Sequence, residues 1–326
     1  MNLKNKNILV LGGAGFIGSS LVRGLMKEGA NVIVYDNFSF GHIKNLQEIG
    51  QNIKVINADI LDYEKLSSVI QQHNVKIMFH LVANPFIPNS YKYPEEIFNL
   101  ITKGTQNVLK ACEQLEVEKL LYVSSAEIYG NYKYLPIDEN HPCKPLSVYA
   151  SAKLAADKKC SEAYKQKKIP VTILRLFNTF GPRETHPYII PDLISQLSVS
   201  NIARIGNTKS KRSFVYVEDV IDAFMKIMKK NLNGEIINVG NNYSYSIEQL
   251  AKIIGNLFGH DKIKIVIESK RKRKLDPKNL ECDYSKAKDI IDWKPKTSFE
   301  EGLRKTLDWF EENGRNWVWK ETYGKI

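Results

Sequence analysis

The chain of 326 residues has only four cysteines and six histidines. Cys112, Cys143, Cys160 and Cys282 stand far apart, form no CxxC pair and have no histidine cluster beside them. This argues against a zinc site and a disulfide framework, and for reduced, mostly buried thiols. No apolar run reaches membrane-spanning length, so no membrane partner is expected. There is no internal repeat and no long low-complexity segment. Only Met1 to Asn7 precede the first apolar run, too little for a secretory signal, and a cytoplasmic location is expected.

Acidic residues are the scarcer charge: 36 against 47 lysines and arginines, a net charge of +11. The basic residues cluster at Lys158-Lys159, Lys165 to Lys168, Lys209 to Arg212 and Lys270 to Lys274. These runs sit apart and lack interleaved aromatics, which argues against nucleic acid as a partner. Most read as solvated faces, with one or two arginines available to meet a small diphosphate. The remaining composition, 43% hydrophobic and 25% charged, is that of a globular protein able to bury a core.

Residues 8–18 read ILVLGGAGFIG. Ile8 to Leu11 have the length and branching of a buried strand. Gly12, Gly13 and Gly15 then turn the chain into a helical pattern from Phe16, Ile17 and Gly18 onward. Strand, glycine turn and helix start together hold a dinucleotide pyrophosphate. Gly12 allows the tight turn, Gly15 lets backbone approach phosphate, and Gly18 lets helix and strand pack closely. A second strand, Asn31 to Tyr35, ends at Asp36, about 20 residues on. A carboxylate there accepts from a ribose 2′-OH and repels a 2′-phosphate, which favours NAD over NADP.

Up to about Phe180, apolar strands alternate with helical segments. Strands are expected at 8–11, 32–35, 54–57, 77–81, 119–124 and 171–176, and helices at 18–27, 63–72, 104–115 and 150–165. Such alternation predicts an α/β fold, a Rossmann-like doubly wound parallel sheet. The run VTILRLF is apolar without alternation, as in a strand covered on both faces. Residues 182–191 break the pattern. Beyond them, helices are expected at 190–199, 218–229, 247–258 and 299–313, and strands at 213–217, 235–239 and 264–267. The last helix would start behind Thr297 or Ser298. This half reads as a smaller α/β lobe over the sheet's carboxyl edge, dividing the chain into 1–180 and 181–326. Residues 270–279, KRKRKLDPKN, read as a flexible loop.

Three groups can carry chemistry. Ser124 to Gly130, SSAEIYG, leave a strand at the edge facing the ligand crevice. Tyr149 and Lys153 lie four apart and share a helix face. Arg175 to Arg183, RLFNTFGPR, leave another strand. His80 and Trp293 read as packing residues.

At these residues the sequence resembles the extended short-chain dehydrogenase/reductase family, specifically its NAD-dependent nucleotide-sugar epimerases and dehydratases. The resemblance runs through GGAGFIG, Asp36, NADI around Asp59, HLVA at His80–Ala83, SSAEIYG, YASAK, RLFNTFGPR, RSFVYVEDV at Arg212–Val220 and WKPKTSFEEGL at Trp293–Leu303. It implies NAD as cofactor. Gly12, Gly15, Phe16, Ile17 and Gly18 would hold the pyrophosphate. Asp36 and Asn37 would meet the ribose, Asp59 and Ile60 the adenine, and Leu81 and Ala83 would line the cofactor. Tyr149 would be the catalytic base on a sugar hydroxyl, and Ser125 would hydrogen-bond that hydroxyl. Lys153 would hold the nicotinamide ribose. A tyrosine titrating near ~10 is a poor base at neutral pH, so Lys153 and the positive nicotinamide ring would have to favour the phenolate. Asn178, Arg212 and Arg271 or Arg273 would bind the diphosphate of a nucleotide-sugar substrate. The family's NxxGT helix lacks its asparagine here: Ile101 stands in that place, and Asn99 is the nearest asparagine.

The SSAEIYG segment separates reactions. Dehydratases resemble a Thr-Asp-Glu version whose aspartic acid protonates the leaving C6 hydroxyl. Here that position is Ala126, and Glu127 alone remains. The reading is therefore a nucleotide-sugar 4-epimerase of UDP-glucose or UDP-N-acetylglucosamine type. The alternative is a 4,6-dehydratase or UDP-glucuronate decarboxylase using Glu127, and a non-catalytic NAD-binding sensor is the remaining class. The resemblance also implies a homodimer formed by the helices at 104–115 and 149–165.

Overall fold

The computed structural model describes residues 2–49, 53–184, 186–273 and 275–313. Strand β1 (Asn7–Leu11) is buried over its last four residues and feeds helix α1 (Phe16–Lys27) through the glycine turn. Then come β2 (Asn31–Asp36), β3 (Lys54–Asn57) and α2 (Tyr63–Gln72). Asp62 caps α2 by accepting from the Lys65 N–H at 2.9 Å. After β4 (Ile77–His80) lie α3 (Ile87–Lys92) and α4 (Pro94–Gln114). Strand β5 (Lys119–Ser125), helix α5 (Val148–Lys167), β6 (Val171–Leu176) and β7 (Asn178–Phe180) complete the first half.

Two expectations shift here. The helix expected at Gly104 begins ten residues earlier at Pro94, because proline fits the first helical turn. Ile101 is thus a buried mid-helix residue, not one at the helix entry. The strand expected through Leu81 ends at His80, and the Leu81 N–H still bonds the Leu11 carbonyl at 3.0 Å.

The second half holds α6 (Ile189–Leu197), β8 (Ile202–Ile205), β9 (Lys211–Tyr216), α7 (Val217–Lys229) and β10 (Ile236–Val239). It continues with β11 (Ser244–Ser246), α8 (Ile247–Leu257), β12 (Lys264–Ile267), β13 (Asn279–Leu280), α9 (Ser285–Ile291) and α10 (Phe299–Glu312). Ser298, not Thr297, caps α10. Thr297 instead donates its N–H to Asp219. Trp293 is fully buried, with its indole N–H on the Asp219 carbonyl, as a packing residue should be.

Seven strands form one parallel sheet in the order β10-β6-β5-β4-β1-β2-β3, a Rossmann-like arrangement. The chain reverses its winding between β1 and β4, and a crevice opens outside the carboxyl ends there. Helices cover both faces, so strand interiors are mostly apolar. The division expected at residue 180 does not follow this sheet. Strand β10 joins it beside β6, and α7 packs on α1. The remaining strands make a small sheet, β11-β9-β13 with β7 also on β9, and a β8–β12 pair. Both enclose a separate apolar core with α6, α8 and α10.

The four cysteines are free, and three are buried. Among the described residues no group of three or more metal-ligating side chains occurs, and no helix is long and apolar enough to cross a membrane.

Candidate active site

A cavity of about 400 Å³ runs from the glycine turn to the small lobe. It gathers every residue that the sequence nominated, from Gly12 at one end to Arg271 at the other.

At the sheet end, backbone geometry does the positioning. Gly12 has φ of 81°, the left-handed region that glycine tolerates. A Cβ on Gly18 would stand 2.1 Å from the Gly12 carbonyl oxygen, so helix and turn can meet only through glycine. Helix α1 begins immediately after Gly15, and its first-turn N–H groups have no acceptor within the helix. One Asp36 oxygen accepts from the Ala14 N–H and the other from the Phe38 N–H, both at 2.9 Å. Burial pushes this carboxyl up, and those two bonds oppose the shift. Asn37 donates to Asp59 at 3.0 Å, which ties the ends of two strands together beside Ile60. Leu81 and Ala83 continue the wall. A cradle that excludes side chains, faces N–H groups outward and ends in a carboxylate fits a dinucleotide.

Ser125 ends β5 and caps a short helical turn, accepting from the Glu127 N–H at 3.2 Å. Helix α5 is capped by Ser147, and its first two turns carry Tyr149 and Lys153 into the cavity. Burial raises the Tyr149 pKa, Glu127 adds to the rise, and a hydrogen bond with Ser125 lowers it. Burial sets the direction, and the acidifying effect expected of Lys153 is not among the causes. The ammonium is engaged one helical turn away: its Nζ donates to the Val123 carbonyl at 2.8 Å and lies over the Tyr122 ring. Burial brings the Lys153 pKa down to about 8. Next to it on α5, buried Asp157 forms a two-pronged ion pair with Arg175 at 3.0 and 3.1 Å. His80 is a core histidine, bonded to Thr105, and burial lowers its pKa to about 3.

At the lobe end the charged residues hold one another. Asn178 leaves β6 and enters β7 in register with Phe214 of β9. Buried Arg212 meets Asp276 at 2.7 Å and also donates to the Pro277 carbonyl. Arg271 pairs with Asp192 at 2.7 Å and Glu268 at 3.0 Å. Arg273 reaches Asp276 at 3.4 Å and Glu127 at 3.8 Å, bridging the lobe to the sheet edge. The segment read as a solvated flexible loop therefore turns two arginines inward. Its Lys274 lies outside the described residues. Sequence reading missed Asp276, and it missed Phe40, His186 and Tyr188, which also line the cavity. No local motif marks any of the four.

Fold and cavity define the class: a doubly wound α/β protein with its site at the sheet's winding reversal. The family model described as GDP-mannose 4,6 dehydratase matches residues 9–306. The human dTDP-D-glucose 4,6-dehydratase is 33% identical, covering 96% of this chain and 92% of the relative. A UDP-N-acetyl-alpha-D-glucosaminuronate decarboxylase of Bacillus cytotoxicus is 34% identical, covering 94% and 98%. Among solved structures, the UDP-glucose 4-epimerase of Thermotoga maritima with UDP-glucose gives a TM-score of 0.88 at 31% identity, covering 94% and 99%. The dTDP-glucose 4,6-dehydratase of Bacillus anthracis in complex with NAD gives 0.87 at 28% identity, covering 97% and 99%. The chain belongs to this family of NAD-dependent nucleotide-sugar epimerases, dehydratases and decarboxylases, and it is an enzyme of that family.

Proposed function

We propose that the protein is a nucleotide-sugar 4-epimerase of the UDP-glucose or UDP-N-acetylglucosamine type. One observation carries the choice. Ser125, Tyr149 and Lys153 share the cavity with the glycine turn, while buried Ala126 occupies the place where a dehydratase would keep its proton donor. The neighbouring Glu127 faces an arginine, Arg273, rather than standing alone as a base.

In this reading the turn from Gly12 through Gly15 and Gly18, with the N–H groups of Phe16 and Ile17, holds the cofactor's diphosphate. Asp36 and Asn37 take its ribose, Asp59 and Ile60 flank the adenine, and Leu81 and Ala83 pack against it. NAD, when bound, accepts a hydride from sugar C4 and supplies it again. Tyr149 removes the proton of the C4 hydroxyl and later returns one to the C4 oxygen. Ser125 donates to that oxygen and keeps it beside the phenol. Lys153 secures the nicotinamide ribose, and the cofactor's positive ring, when bound, would favour the phenolate. Asn178, Arg212 and Arg271 receive the substrate's diphosphate, with charge-assisted bonds replacing part of their present pairing. The sheet with Tyr149 and Lys153 serves the cofactor, and residues 181–326, β10 and α7 apart, mainly serve the nucleotide sugar. A homodimer through α4 and α5 and a cytoplasmic location complete the reading.

A second reading, 4,6-dehydratase or UDP-glucuronate decarboxylase, is favoured by Glu127 on the cavity wall and by the dehydratase and decarboxylase relatives. Incubation with UDP-glucose, UDP-N-acetylglucosamine, dTDP-glucose and UDP-glucuronate, followed by NMR, separates them. The expected product is a C4 epimer of one of the first two. A 4-keto-6-deoxy sugar or released CO₂ without any epimer overturns the epimerase.

A further inference from the structure

Three separate chain segments meet over the cavity through aromatic rings. The first follows β2. A Cβ on Gly41 would stand 2.8 Å from an Asp36 oxygen and 2.9 Å from the Ala14 Cβ, and the His42 N–H bonds the Ala14 carbonyl at 3.0 Å. The backbone beside Phe40 is therefore pinned on the glycine turn. The second segment follows β4 and carries Phe86. The third leads from β7 to α6 and carries buried His186 and half-buried Tyr188. The His186 ring stacks on Phe40 at 5.8 Å and 25°, and on Phe86 at 6.4 Å and 28°. Phe86 also meets Tyr188 edge-on at 6.3 Å. Phe40, His186 and Tyr188 line the cavity that holds Gly12, Asp36 and Tyr149.

We propose that Phe40, His186 and Phe86 form an aromatic clasp that retains the dinucleotide throughout the catalytic cycle. The proposal rests on the NAD reading above and assigns these rings a positioning role. An epimerase must give the keto sugar back the hydride it took, so cofactor lost midway strands the sugar. The contacts join the segment over the glycine turn to the segment entering the small lobe, both of which line the cavity. Offset ring stacking has no fixed hydrogen-bond geometry, so it can part for loading and re-form. Phe40 and Phe86 are only half-buried while His186 is buried, so the phenylalanine side is the one that opens. Burial lowers the His186 pKa to about 4, which keeps a neutral ring in the stack near pH 7.

The test measures cofactor retention without sugar. Wild type, Phe40→Ala, His186→Ala and His186→Phe are purified, loaded with NAD and gel-filtered. Bound NAD is released by acid and counted, and its loss is followed in the presence of an NAD-degrading enzyme. Phe40→Ala and His186→Ala are expected to lose NAD about tenfold faster, the scale of one aromatic pair. His186→Phe, which keeps a ring, is expected to stay within about threefold of wild type. Should His186→Ala unfold, Phe40→Ala on its surface loop carries the comparison. Equal retention by wild type and Phe40→Ala overturns the clasp, as does loss from His186→Phe as fast as from His186→Ala. A wild type that binds no NAD overturns the cofactor reading itself, and the clasp with it.

Discussion

The two ends of the cavity are built by different physics. At the sheet end, functional groups sit on strand termini and one capped helix, and backbone geometry fixes them. Gly18 admits no Cβ, and Asp36 is held by two main-chain N–H groups. At the lobe end, positions depend on side chains: Arg212 on Asp276, Arg271 on Asp192, Arg273 on Glu127 and Asp276. Chemistry that needs sub-ångström placement belongs on the first kind of support. Binding a charged group that must arrive and leave suits the second, where internal carboxylates hold the arginines until a diphosphate competes for them.

Substitutions should therefore separate rate from affinity. The largest effect is expected from Tyr149→Phe, which removes the proton acceptor and leaves the fold intact. A fall of about 10³-fold in kcat, with KM and NAD content nearly unchanged, is the outcome that sharpens the contrast. A large rise in KM would break it. Next comes Arg212→Gln, which removes the buried partner of Asp276 and leaves that carboxylate to Arg273 and the Ser210 hydroxyl. KM for the nucleotide sugar should rise at least about tenfold, stability should drop by about 1–2 kcal/mol because Asp276 keeps other partners, and kcat should change least. Steady-state kinetics with a urea melt tests both. The smallest effect concerns the sheet core. His80 titrates near 6.5 when unfolded and at about 3 in the fold. Below pH 6.5 the unfolded chain takes a proton that the native one refuses, so stability present above that pH is lost as pH falls toward 3. His80→Gln should flatten part of that decline in urea midpoints measured from pH 7 to 4. An unaltered slope would show that the loss comes from the carboxylates instead.

The contrast also explains what could be read in advance. The sheet end was legible because its determinants are local: a glycine turn between strand and helix, a tyrosine and lysine on one helical face, a serine at a strand end. The lobe end was legible only as a surplus of arginines. The acid that holds Arg212 lies 64 residues away, and one of the two that hold Arg271 lies 79 away. Periodicity and spacing carry no record of such pairings. Arg175 was a clue left unused, since a guanidinium inside an apolar strand demands a buried partner, here Asp157. The start of α4 was missed for a simpler reason. Tyr93 caps it without a side-chain bond, and the signals present, Pro94 at the first position and Glu95 and Glu96 in the first turn, lay ten residues upstream of where the apolar pattern was read.

Strand β10 gives the architecture a temporal side. The ribosome delivers β6 some sixty residues before the strand that pairs with its outer edge. Throughout that interval the nascent sheet presents an unpaired, mostly apolar border, the kind of surface that recruits foreign strands. The first 180 residues expressed alone would keep that border for good.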